Sequence, residues 1–103
     1  LGIAIAMEKY SNKNMINGWF IGDFSPTCLK TKECEIAIKK YKAGDSENAH
    51  YHKIAKEITY ILQGNVKMNN EEFTEGDIIL VKPGEVIKFS VKTDTINVVV
   101  KIP

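Results

Sequence analysis

The chain of 103 residues contains no arginine; all fourteen of its basic residues are lysines. Arginine offers a planar fork that grips phosphates and carboxylates through paired hydrogen bonds, so its absence argues against a tightly held nucleotide diphosphate. Abundant Ile, Lys and Asn point to AT-rich coding as the origin of this bias, but the chemical consequence stands. An excess of either charge is missing too. The formal net charge of +1 gives no electrostatic footprint for nucleic acid or an anionic membrane. No apolar run approaches the roughly 18 residues that a membrane span needs. The stretch Leu1 to Met7 is apolar but short, without a preceding basic flank or an A-x-A-like cleavage pattern. It is read as a strand or an added remnant rather than a signal. Cysteine is scarce: Cys28 and Cys34 are too few for a disulfide framework and are not spaced as C-x-x-C. They are expected to be reduced thiols of a cytoplasmic protein. A helical repeat is also lacking, since no segment keeps a 3.6-residue period over ten positions.

What remains is ordinary for one globular domain, with 44% hydrophobic and 26% charged residues and enough length to bury a core. The strand signals run along the whole chain. Gly18 to Phe24 is aromatic and β-branched, and Ser25-Pro26 ends it. Glu35 to Lys42 alternates. Ala49 to Lys53 and Glu57 to Gln63 are expected to pair, with Gly64-Asn65 as a tight hairpin turn into Val66 to Met68. A turn at Asn69-Asn70-Glu71 leads to a short return from Phe73 toward Gly76-Asp77. Ile78 to Lys82 reads as buried, Val86 to Lys92 alternates, and Thr95 to Ile102 is a Val-rich strand. Eight or nine short strands separated by Gly and Pro turns predict an all-β sandwich or barrel.

The only two histidines, His50 and His52, are separated by one residue. On a strand, residues two apart share a face, so both imidazoles are expected to converge. Glu57 follows five residues later and, after a short reversal, is expected to face them from the neighbouring strand. Two imidazoles and a carboxylate form a recurring donor set for a divalent transition metal with open positions.

The pattern Gly44-x5-His50-x-His52-x4-Glu57-x6-Gly64 resembles the first conserved motif of the cupins at every defined position. Downstream, Gly76-Asp77-Ile-Ile-Leu-Val-Lys82-Pro83-Gly84 resembles the start of their second motif. The resemblance covers roughly residues 35–102, with residues 1–24 as an N-terminal strand region of the same single domain. It implies a double-stranded β-helix, a jelly-roll barrel with its site inside. It also implies that His50, His52 and Glu57 are metal ligands. The second motif departs where it matters. The family's usual fourth ligand, a histidine three residues after the turn glycine, is Ile87 here, and a later asparagine is Val91. Strand parity puts Ile87, Phe89 and Val91 on one face, expected to point inward. The fourth ligand is gone.

Three functions fit a three-ligand site. The first is a metal-dependent cupin binding or transforming a small molecule at His50, His52 and Glu57, with Ile61, Ile87 and Phe89 walling the pocket. Fe, Mn, Ni, Zn or Co are the candidate metals. Tyr41 is a candidate polar contact; parity keeps Tyr60 off the Glu57 face. The second is metal-free chemistry of the sugar-nucleotide epimerase or isomerase kind, since His50-Tyr-His52-Lys53 resembles the H-x-H-K stretch of the ketoisomerase branch. The missing arginines count against it. The third is a small-ligand-binding module without turnover. A homodimer is the expected assembly, with the strand around Trp19 to Ile21 as the candidate to cross to the partner, because an exposed aromatic strand needs cover.

Overall fold

The computed structural model describes residues 7–103, so the reading of Leu1 to Met7 as a strand lies almost wholly outside the described residues. After a single 3₁₀ turn at Asn12–Asn14, nine strands follow. They are β1 (Trp19–Ile21), β2 (Glu35–Tyr41), β3 (Ser46–His50), β4 (Lys56–Gln63), β5 (Asn65–Met68), β6 (Glu71–Thr74), β7 (Ile78–Val81), β8 (Ile87–Val91) and β9 (Thr95–Ile102). They build a five-stranded sheet, β1-β2-β9-β4-β7, and a four-stranded sheet, β3-β8-β5-β6, both antiparallel. From β2 onward this is the strand order of a jelly roll, so the expected all-β architecture is the one that forms. Among the described residues no helix is long and apolar enough to cross a membrane. Cys28 and Cys34 are both free thiols.

Pairing follows the jelly roll rather than adjacency in sequence, which corrects three readings. Strands β3 and β4 do not pair: β3 lies against β8, while β4 lies between β9 and β7. Gly64 is therefore no hairpin turn. It is the corner where the chain leaves one sheet, after Gln63, and enters the other, at Asn65. The tight hairpin sits one strand later, between β5 and β6, where Asn69 and Asn70 both take positive φ (49° and 68°). Asparagine tolerates that left-handed conformation, and the resulting turn matches the strand twist. The third correction concerns the histidines. Strand β3 ends at His50, and a register shift between Glu47 and His50 marks a bulge, so His52 lies beyond the strand.

The parity expected of Ile87, Phe89 and Val91 holds, and all three side chains are buried. They join Ile61, Val66 and Val81 in one core cluster between the sheets, flanked by Tyr41, Met68, Phe73 and Ile79. Each fully buried aliphatic or aromatic side chain there contributes about 1.5–3 kcal/mol.

Strand β1 lies at the edge of the five-stranded sheet and pairs with β2 through Trp19 opposite Ala37 and Ile21 opposite Ile36. The Trp19 ring carries two ammonium groups, Lys39 Nζ at 5.0 Å and Lys101 Nζ at 5.1 Å from its centroid. Cation–π attraction gives these two like charges a common partner. Burial is the main cause that lowers the Lys39 pKa. The open apolar surface lies elsewhere. The outer face of the five-stranded sheet bears Tyr60, Leu62, Ile78 and Leu80, with Ile78 66% and Leu80 53% exposed.

Candidate functional site

One end of the space between the sheets is a small cavity, with about 40 Å³ of room for water-sized molecules. Its lining draws on both sheets. Tyr41, Glu57, Thr59, Asn97 and Val99 come from the five-stranded sheet, and Glu47, His50, Met68, Ile87 and Phe89 from the four-stranded one. Register explains the first set. Thr59 lies opposite Val99, Ile61 opposite Asn97 and Tyr41 opposite Thr95, so these residues share the inward face. Ile87 and Phe89 stand at the cavity wall. Ile61, expected there, is instead fully buried in the core and absent from the lining.

Glu57 meets His52, which lies in the loop after β3 and not on a neighbouring strand. His52 Nε2 lies 3.6 Å from Glu57 Oε2, with both side chains largely buried. That imidazole nitrogen is buried and has no hydrogen-bond partner among the described residues. Burying a polar atom without a partner is costly, which makes this nitrogen a marked feature of the site. The other end of the His52 residue is anchored, since Gly84 N–H donates to its carbonyl at 2.8 Å.

His50 is held differently. Its Nδ1 lies 3.0 Å from the Asn48 carbonyl oxygen. A carbonyl can only accept, so Nδ1 bears the proton and Nε2 of the neutral ring is left with a free lone pair. The His50 and His52 rings stand edge-on, 5.7 Å apart between centroids. Among the described residues no three His, Cys, Asp or Glu side chains converge closely enough to form a ready metal cage. The donor types nonetheless fit a divalent ion: an orphaned buried imidazole nitrogen, a carboxylate beside it, and a second imidazole in a ligating tautomer. His50 stands directly opposite Ile87 in the β3–β8 register, so the position without a fourth ligand is the immediate neighbour of the first.

Tyr41 donates its hydroxyl to Glu47 Oε1 at 2.8 Å and packs its ring on Phe89, 5.0 Å between centroids. Burial, then the Glu47 carboxylate, pushes its pKa well above the ordinary tyrosine value, so the phenol stays a donor. Glu47, Thr59, Met68, Asn97 and Val99 are lining residues that pattern reading passed over. One signal for Asn97 was there: a polar residue at an inward position of a Val-rich strand. Lys53 is exposed, as is Tyr60, so neither faces the cavity.

No protein-family model matches the chain, and no curated protein sequence does either. Among solved structures, it is similar to a predicted oxalate decarboxylase from Thermotoga maritima, with 29% identity over 65% of this chain and 64% of that one, TM-score 0.57. A cupin protein from Bacteroides fragilis is 23% identical over 70% of this chain and 67% of that one, TM-score 0.59. YhhW from Escherichia coli is 13% identical, yet matches 93% of this chain and 42% of its own length, TM-score 0.72. The chain thus spans less than two thirds of the Thermotoga protein and less than half of YhhW. These likenesses carry the fold.

Proposed function

Starting from a chain that has the fold of the small cupins, we propose that it binds a small molecule at a divalent metal held by His50, His52 and Glu57. The observation that carries this reading is the buried, unpartnered Nε2 of His52 beside the Glu57 carboxylate. When bound, such an ion supplies a Lewis-acidic centre that polarises a ligand oxygen. The chain's own side chains arrange the surroundings. Asn48 holds the proton on the far side of His50, leaving the near nitrogen free to ligate. Ile87, Phe89, Met68 and Val99 supply the apolar part of the wall. Tyr41 ties down one oxygen of Glu47, so that carboxylate is fixed in place rather than free to swing into the centre. With three protein donors, open positions remain for a ligand, as a binding or a turnover site requires.

Elemental analysis of protein purified without chelators or a histidine tag tests the reading. We expect a transition metal at near one equivalent, lost in both His52→Ala and Glu57→Ala. Protein that stays metal-free after reconstitution would sink it.

A second copy of the chain is the partner we propose. The support is the outer face of the five-stranded sheet, where Tyr60, Leu62, Ile78 and Leu80 remain exposed together. An apolar sheet face with one edge strand open, here β7, suits stacking against its own copy. Sedimentation at high micromolar concentration is expected to give a dimer for the wild type and a monomer for Leu80→Lys. A monomeric wild type contradicts the assignment.

A further inference from the structure

The Asn97 side chain is 1% exposed, lines the cavity, and its Oδ1 meets no donor among the described residues. Its inward neighbours along β9 are Thr95 and Val99, and a valine at 97 would continue the pattern of Val98, Val99 and Val100. A buried carboxamide is a poor choice for packing alone, because an unpaired oxygen there loses its hydration for nothing. Two of the donors at neighbouring positions are engaged elsewhere. The Tyr41 hydroxyl goes to Glu47, and the Lys39 ammonium, although Lys39 faces Asn97 across the β2–β9 register, lies on the Trp19 ring. No lysine lines the cavity, whereas two carboxylates, Glu47 and Glu57, do.

We propose that Asn97 reads the far end of the ligand: a short hydroxy acid whose carboxylate lies at the His50, His52 and Glu57 end and whose hydroxyl donates to Asn97 Oδ1. This deepens the metal-site reading and rests on it. The cavity's volume admits only a few heavy atoms. Around Asn97 the lining offers no lysine, which disfavours a second carboxylate, and a methyl group there has no hydrogen bond to give. A hydroxyl matches it on both counts.

The test uses cobalt-loaded protein and three probes of similar length: 3-hydroxypropionate, malonate and butyrate. Visible absorption of the cobalt reports binding. 3-Hydroxypropionate is expected to bind at least about tenfold tighter than either competitor. Asn97→Leu, close in shape, is expected to retain cobalt and to bind all three within about twofold; Asn97→Asp keeps an acceptor and is expected to keep the preference over butyrate. Equal binding of the three anions to wild type, a preference for malonate, or a hydroxyl preference that survives Asn97→Leu overturns the proposal. If the wild type takes up no cobalt, the metal reading fails separately. The same anions are then compared by calorimetry on metal-free protein, where absent or equal binding overturns the role of Asn97 as well.

Discussion

Ile87→His is expected to raise metal affinity by roughly 10–100-fold, the scale on which supporting groups around a metal centre act. The position stands opposite His50 in the β3–β8 register, it lines the cavity, and its side chain is 3% exposed. An imidazole there is placed beside His50 by the strand itself. The cost falls on the metal-free form. Isoleucine 87 belongs to the core cluster, so the variant loses apolar contacts and gains a buried ring with nitrogens to satisfy. We expect the metal-free variant to be less stable by about 1–3 kcal/mol. Metal binding then restores stability by mass action, more strongly than in the wild type. Thermal melts with and without added cobalt separate the two effects. The wild type should show a modest shift, and Ile87→His a lower starting point with a larger shift. A variant that melts lower and gains nothing from metal would show that His50, His52 and Glu57 do not form a metal centre that position 87 can complete.

Gly64→Ala is expected to destabilise the fold by about 2–5 kcal/mol, from adding left-handed strain to overpacking. Gly64 has φ of +100°, and a Cβ there would overlap the Thr95 side chain and the Asp94 carbonyl. Neither neighbour can retreat easily. Thr95 is buried and hydrogen-bonded to the Thr93 carbonyl, and Asp94 accepts from Ala43 N–H. Gly44, the first glycine of the same motif, supplies the internal control. Its φ is +93°, but a Cβ there would meet nothing within 4 Å. Gly44→Ala should therefore carry only the backbone term, about 1–2 kcal/mol. Urea titrations of both variants measure the difference. Equal losses would mean that the crowding at the sheet-to-sheet corner does not matter.

Sequence pattern revealed faces better than partners. The alternation of Ile87, Phe89 and Val91 was enough to predict their burial, because side-chain parity is a property of a strand by itself. Which strand lies alongside is a property of topology. Glu57 to Gln63 was matched with Ala49 to Lys53 because they are consecutive, yet they belong to opposite sheets. For the same reason Gly64 passed for a hairpin turn: a positive φ between two strands is common to hairpins and corners. The site shows the limit most clearly. The three proposed donors form a legible spacing, but β3 ends at His50 and leaves His52 off the strand, where parity no longer applies. Asn97 was hidden by distance, forty residues beyond Glu57, although its polarity at an inward position was in plain view.

Strand β9 is the central member of its sheet, flanked by β2, the first strand of the barrel, and by β4. It brings Asn97 and Val99 to the cavity and Lys101 to the Trp19 ring. Strand β2, made some sixty residues earlier, has no neighbour on that side until β9 arrives. Closing so long a loop precedes any reward from pairing, which favours slow, concerted folding over stepwise growth. The cavity therefore lacks the Asn97 and Val99 part of its wall, and the two sheet halves β1-β2 and β4-β7 stay apart, until β9 takes its place between β2 and β4.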